Sequence, residues 1–241
     1  CSVFLLSVYL GHTPKDTIMK DMTMWCTYHE DIQIEQYNLR EDDTLRLFKG
    51  NASDVVGENI NSLNAFYSEI VTFYWVWKNN VKSKKVGFCH YRRRFDQILD
   101  VEPGSCQVLD FHKNFHVFHH YKSCHNYQDY YDAVDILRGQ YGEDAHYVHY
   151  MLEGRTFVPF CCFVMHWEDF DRLCRFLFPI LEAFDRKNGL DMNPERYMAK
   201  AVRDFRYDNV MYQRRAVSFL AERLISCFLV CEMKTYCLHQ A

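Results

Sequence analysis

Glycine and proline are scarce, at 9 and 5 of 241 residues. That scarcity argues against a disordered chain or a turn-rich all-β one, and for well-formed elements. No stretch approaches the ~20 apolar residues of a membrane span. Cys1 to Leu10 is apolar but short, with no basic region before it and no cleavage pattern after it, so it does not read as a leader. Because the chain begins with Cys, a trimmed N-terminus is left open. No Cys-x-x-Cys pair occurs, which weakens zinc-ribbon and thioredoxin-like readings. A Gly-x-Ser-x-Gly elbow, a Gly-rich phosphate loop and a His-Glu-x-x-His pattern are also missing. The acidic clusters Glu41-Asp42-Asp43 and Glu143-Asp144 follow no strand, so no convincing Asp-x-Asp after an apolar strand is read. A net charge of −4 argues against non-specific nucleic-acid binding.

Cysteine, by contrast, is plentiful at 11. The count is odd and several thiols sit in apolar runs, Cys161 and Cys162 among them, as buried free thiols do in a reducing compartment. Apolar spacing predicts a first core strand over Ser2–Leu10, closed by Gly11-His12-Thr13-Pro14. Residues 29–62 read as loop with short elements. A helix follows over Asn64–Asn79, where Ile70, Phe73, Tyr74 and Trp77 recur at helical spacing. Val86–His90 reads as a strand and Asp100–Gly104 as a turn. Tyr127–Arg138 reads as a helix, and the continuous apolar run Phe157–Met165 as a central strand. Trp167–Phe184 and Ala216–Cys231 are amphipathic helices, and Pro194 opens another at its first turn. Strands alternating with helices, without repeats or a clear linker, imply one α/β domain spanning 1–241 with a mixed, mostly parallel sheet flanked by helices.

The densest chemistry lies in Val86-Gly87-Phe88-Cys89-His90-Tyr91-Arg92-Arg93-Arg94-Phe95. An apolar strand ends in consecutive guanidiniums, which repel one another and are costly to bury without an anion. Guanidinium suits bidentate contact with phosphate, although a solvated basic turn is the plainer reading of such a run. Cys89 and His90 adjoin on a strand and so point to opposite faces, which argues against a thiolate–imidazole pair. Downstream, His112, His116, His119, His120 and His125 invite a metal reading, since His112/His116 and His116/His119 have helix-compatible ligand spacing. A polar loop of ordinary imidazoles outweighs it.

Three segments together resemble a bacterial capsule and O-antigen glycosyltransferase family, long catalogued as a domain of unknown function and including galactofuranosyltransferases. They are Ser68-Glu69-Ile70-Val71-Thr72-Phe73-Tyr74-Trp75-Val76-Trp77-Lys78-Asn79, then Gly87 to Phe95, then Arg215 with Phe219-Leu220-Ala221-Glu222-Arg223-Leu224. Gly50-Asn51-Ala52-Ser53-Asp54, Asn64, Phe163-Val164-Met165 and a histidine after the first strand, His12, add to the match. Departures are Cys161 for the family's Asn, Ser218 for its Gly and Leu63 for its Lys.

The resemblance implies a GT-A-like fold and transfer of a sugar, galactofuranose or another hexose or deoxyhexose, with inversion expected. The donor is expected to be a nucleotide-diphosphate sugar, a UDP-sugar first, and the acceptor a glycan or lipid-linked saccharide in surface polysaccharide or glycan synthesis. A cytoplasmic protein is expected, at the inner face of a membrane if it associates peripherally. No cofactor is certain; a divalent metal stays open, with the arginines as its substitute on the diphosphate. Glu69, Asp54 and His90 are the catalytic candidates, the carboxylates as base. His12, Asn51, Asn64, Trp75, Lys78, Arg92, Arg93 and Arg215 are the donor-binding candidates. Glu69 as an ion-pair partner of Arg92 is an equal alternative, and Trp75 and Trp77 read more as core than as pocket. Arg94 reads as a surface or packing charge. Glu222 and Arg223, adjacent on a helix, are expected to face different directions and serve structure. The rival functions are an inactive glycan-binding or scaffold domain of the same fold, and a zinc hydrolase using the histidines.

Overall fold

The computed structural model describes residues 22–238, so the strand expected over Ser2–Leu10, and His12, lie outside the described residues. The strands are β1 (Met22–Tyr28), β2 (Leu45–Lys49), β3 (Lys85–His90), β4 (Ser105–Val108), β5 (His112–Lys113), β6 (Thr156–Phe157), β7 (Phe163–His166) and β8 (Lys234–Cys237). The main sheet has the order β2-β1-β3-β7-β4-β8, and β5 and β6 form a separate two-stranded ribbon. β7 runs antiparallel to both of its neighbours, while β1 with β2, β1 with β3 and β4 with β8 are parallel. The result is the mixed, mostly parallel sheet flanked by helices that the alternation of elements implies.

Side-chain alternation divides the core between the two faces of the sheet. Val86 and Phe88 of β3 join the larger cluster, under the helices Ile70–Lys78, Trp167–Lys187 and Ala216–Glu232. At its centre Phe73 lies 4.2 Å from Phe88 and 5.3 Å from Phe163, centroid to centroid. Cys89, with Met24, Cys26, Cys162 and Val164, belongs to the smaller cluster on the opposite face. Cys26 and Cys89 are register partners on β1 and β3. Every cysteine among the described residues is a free thiol.

Two segments depart from their expected periodicity, both next to the site. The Asn64–Asn79 helix is two helices, Asn64–Tyr67 and Ile70–Lys78. The break falls at Ser68, whose φ of 52° no α-helix accommodates. The apolar run Phe157–Met165 is not one strand either. Phe160 and Cys161 take φ of 75° and 53°, so the chain leaves the ribbon at Phe157 and joins the main sheet only at Phe163. Both segments are apolar enough for a continuous element, and tertiary contacts override that preference. Among the described residues no helix is long and apolar enough to cross a membrane.

Phe73→Ala removes a ring that is 1% exposed and touches three strands and helices through Phe88, Phe163 and Phe170. The expected loss is ~3–5 kcal/mol of folding stability, read as a lower urea midpoint with unchanged slope.

Candidate functional site

A cavity of ≈ 780 Å³ opens at the C-terminal ends of β1 and β3. Its first wall is the reverse turn that ends β3. His90 N–H donates to the Arg93 carbonyl (3.2 Å) and Arg93 N–H to the His90 carbonyl (2.8 Å), so the His-Tyr-Arg-Arg segment doubles back on itself. Arg92 is left exposed at the tip, its guanidinium 5.1 Å from the Tyr91 ring. Arg93 folds inward and lies 3.9 Å over the Phe160 ring. Arg94 points away and donates to the Tyr37 carbonyl at 3.0 Å.

The second wall is the broken helix. Asn64 Nδ2 donates to the Ser68 carbonyl at 3.1 Å and braces the break. Gly50 makes room for it, because a Cβ there would sit 2.5 Å from Asn64 Nδ2. The break delivers Glu69 into the cavity rather than along a helix face. Burial pushes the Glu69 carboxyl up to about 7; the Glu222 charge adds to this, while its own backbone N–H, Arg215 and a hydrogen bond from the Cys161 thiol oppose it.

The third wall comes from Ala216–Glu232 and the residues before it. Ser218 and Glu222, and Phe219 and Arg223, are spaced i,i+4 and so share the face turned to the cavity. Arg223 is 2% exposed yet bonds to Glu222, to His120 Nδ1 (3.0 Å) and to the Phe219 carbonyl (3.4 Å). Glu222 and Arg223 thus pair with each other, where their adjacency on a helix suggested divergence; Arg223 curls its long side chain back to reach the carboxylate. Arg215 lies 4.6 Å from the Tyr212 ring and 5.2 Å from the Phe219 ring. His125 stacks on Phe219 at 3.8 Å.

Arg92, Arg93, Arg214 and Arg215 have no carboxylate at ion-pair distance among the described residues, whereas Arg223 has Glu222. The cavity therefore carries a surplus of fixed positive charge. Its histidines respond accordingly. His90 is pushed down to about 4 by burial, then by Arg93 and Arg92. His125 is pushed down to about 3 by burial and then Arg223.

Of the residues singled out in the sequence, Glu69, His90, Asn64, Arg92, Arg93 and Arg215 converge on this cavity. Asn51 and Asp54 do not; both are exposed in the loop after β2. Trp75 does not either, since it packs on Trp25 and Phe48 and its Nε1 donates to the Val56 carbonyl at 2.9 Å. Trp77 stacks on Phe178 and donates to Asp171. Lys78 pairs with Glu58 at 3.4 Å, outside the cavity. The alternative Glu69–Arg92 ion pair does not form.

His29 is the residue the sequence reading missed. It follows β1 directly and lines the cavity, with its ring 5.3 Å from Tyr91. The apolar, β-rich run Met22–Tyr28 just ahead of it was the available signal.

One absence needs correction. Asp169-Phe170-Asp171 is an Asp-x-Asp that closely follows an apolar strand, β7. Both carboxylates are engaged elsewhere: Asp169 accepts from the Gly104 N–H (2.8 Å), and Asp171 accepts from Trp77 Nε1 and pairs with Arg175. Neither lines the cavity. His116 and His119 stack face to face at 3.8 Å, but no group of three metal-binding side chains gathers among the described residues. The cavity is lined by two carboxylates, Glu69 and Glu222, five imidazoles and several guanidiniums, and both oxygens of Glu222 are already taken, by the Phe160 N–H and Arg223.

Comparison with known proteins gives two findings. A family model described as a domain of unknown function, DUF4422, matches residues 20–233. That span begins after His12 and includes His29. The solved apo structure of the bifunctional glycosyltransferase WbbM matches with a TM-score of 0.66 at 18% identity, over 90% of this chain and 44% of that one. At that identity the likeness establishes shared architecture, and the chain spans less than half of the larger enzyme. No curated protein matches the sequence.

His90 and His125 are expected to stay neutral well below the ordinary imidazole range. Because the folded state resists their protonation, stability should fall as pH drops below the unfolded value near 6.5. NMR titration of the imidazoles checks this, and midpoints near 6.5 for both would refute it.

Proposed function

Because the chain belongs to the DUF4422 family, and its cavity sets a carboxylate with a raised pKa among unpaired guanidiniums, we propose that it is a glycosyltransferase using a nucleotide-diphosphate sugar. The observation that carries this reading is Glu69 facing the same cavity as Arg92, Arg93 and Arg215. Sugar transfer to a hydroxyl asks for a base and for stabilisation of a departing diphosphate, and these groups supply both. The architecture shared with WbbM supports the reading. We take the chain as one such domain.

In this mechanism Arg92 and Arg93 bind the donor's diphosphate, with Arg215 contributing from the opposite wall. A nucleotide sugar's two negative charges compensate guanidiniums that lack a partner in the protein. Glu69 removes the proton from an acceptor hydroxyl. The acceptor oxygen then bonds to the anomeric carbon, the bond from that carbon to the diphosphate oxygen breaks, and the electron pair leaves on the diphosphate. Attack opposite the leaving group inverts the anomeric centre. A base with a pKa of about 7 is half ionised at neutral pH and still basic enough to draw off a proton in the transition state. Asp54, exposed and outside the cavity, is left without this role. His90 and His29, beside Arg92, orient a sugar or phosphate oxygen as neutral imidazoles.

The donor is assigned as a UDP-sugar, with galactofuranose or another hexose or deoxyhexose. The acceptor is assigned as a glycan or lipid-linked saccharide, met at the inner face of a membrane. Cys161 and Ser218 stand where the resembling family has Asn and Gly. Both lie against the site's walls, so sugar preference is where this chain is most open to differ.

A screen of nucleotide sugars for hydrolysis and transfer tests the reading. UDP should raise the melting temperature while free sugars do not. Arg92→Ala with Arg93→Ala should weaken UDP binding at least tenfold, and Glu69→Gln should lower turnover by about 10² or more with little change in UDP affinity. Full transfer by Glu69→Gln would remove its assignment as base. Binding of glycans without nucleotide would instead favour the inactive, glycan-binding alternative.

A further inference from the structure

We propose that Glu222 is a positioning residue that sets both Arg93 and Glu69, by holding the Phe160–Cys161 turn in its left-handed conformation. This rests on the assignment of Arg93 to the diphosphate and Glu69 to the acceptor proton.

Phe160 and Cys161 both have φ in the region that non-glycine residues avoid, and they are consecutive. Such a turn persists only where its surroundings over-determine it. Glu222 supplies the constraint. Its Oε1 accepts the Phe160 N–H at 2.8 Å, across 62 positions of sequence. Its Oε2 is taken by Arg223, which is in turn fixed by His120 Nδ1 and lies against the Phe157 ring at 4.9 Å. With both oxygens committed, the carboxylate cannot swing away from the turn.

Two consequences follow from the turn. The Phe160 ring becomes the platform on which the Arg93 guanidinium lies, at 3.9 Å. The Cys161 thiol is brought beside the Glu69 carboxyl, whose proton affinity it lowers. Without the turn, the apolar run from Phe157 would continue as a strand and the Phe160 ring would not be held against the cavity. Glu222 also acts on Glu69 through its charge. The charged and titratable groups around Glu69 are Glu222, which keeps the proton on, Arg215, which takes it off, and the thiols of Cys161 and Cys162. One side chain thus couples the phosphate-binding arm to the proton affinity of the base.

The test uses the full chain with Glu222→Gln, Glu222→Ala and Phe160→Ala. UDP affinity is read by calorimetry, and Glu69 titration by carboxyl ¹³C NMR, neither of which requires turnover. Glu222→Gln keeps an acceptor for the Phe160 N–H but loses the charge. It should bind UDP within about twofold of wild type, while the Glu69 midpoint drops by at least half a pH unit. Removing the like charge and leaving Arg223 uncompensated both push that midpoint down. Glu222→Ala loses the acceptor as well and should weaken UDP binding at least fivefold. Phe160→Ala should weaken UDP binding while leaving the Glu69 midpoint in place. Unchanged UDP affinity in Glu222→Ala, or an unmoved Glu69 midpoint in Glu222→Gln, overturns the inference. Should Glu222→Ala fail to fold, the Glu222→Gln and Phe160→Ala pair still decides it. If wild-type protein binds no UDP, the functional reading fails instead, and the Glu69 midpoint in Glu222→Gln still reports on Glu222.

Discussion

The cavity depends on one buried cation. Arg223 is 2% exposed, and the surrounding elements meet on it: the helix Val117–Cys124 through His120 and Tyr121, β6 through Phe157, and its own helix through Glu222 and the Phe219 carbonyl. A guanidinium this deeply buried is tolerable only with its charge answered; Glu222, His120 and the Phe219 carbonyl engage its two terminal nitrogens, while Nε has no hydrogen-bond partner among the described residues. Breaking such a pair by removing one partner typically costs ~3–5 kcal/mol. That demand orders the walls of the site before any ligand enters. It also fixes the carboxylate that holds Phe160: Arg223 takes one oxygen of Glu222 and leaves the other for the Phe160 N–H.

The opposite pKa shifts of the cavity's groups follow from the same field. For an imidazole, burial and neighbouring arginines both disfavour the charged form, so the two effects add and His90 and His125 fall far. For a carboxyl they oppose one another. Glu69 still rises, because burial outweighs Arg215 and Glu222 lies on the same side of the balance. A site with unpaired arginines can therefore hold a carboxylate poised near neutrality, provided the arginines are aimed elsewhere.

What the sequence made legible was local. The helices Trp167–Lys187, Pro194–Asp204 and Ala216–Glu232 and the strand Lys85–His90 stand close to where their periodicity and capping residues put them. Pro194 opens its helix behind Asn193, whose side chain caps the Glu195 and Arg196 N–H groups. The short strands β4 and β8 carried too few residues for a period to show. The breaks at Ser68 and at Phe160–Cys161 were hidden for a different reason: their residues favour the regular element, and individual side-chain bonds accompany its loss, a local one from Asn64 at Ser68 and a long-range one to Glu222 at Phe160. In the site, motif order brought together Glu69, His90, Asn64 and the arginines. Order alone could not separate Trp75 and Lys78, which share a helix with the motif but face its other side. His29 was masked because Ser2–Leu10 is the more apolar run and so competes with Met22–Tyr28 as the first strand.

The abundance of aromatic residues, 17% of the chain, bears on how the arginines stay unpaired. Three of the four uncompensated guanidiniums that line the cavity rest on a ring, Arg92 by Tyr91, Arg93 over Phe160 and Arg215 by Tyr212 and Phe219, while Arg214 donates to Met211 Sδ. An arginine stacked on an aromatic face is held by dispersion and by the ring's quadrupole, interactions worth ~0.5–1 kcal/mol at exposed sites and more when dry. That is enough to fix an orientation and too little to cancel a charge. A carboxylate in the same position would fix the side chain equally well, but it would neutralise it and compete with an incoming phosphate. Rings therefore do what acidic partners cannot: they present ordered cations that remain in need of an anion. Glu69 can then sit among these cations without forming an ion pair, because their planes are committed to the rings and its own environment is dry enough to keep its proton within reach of neutral pH.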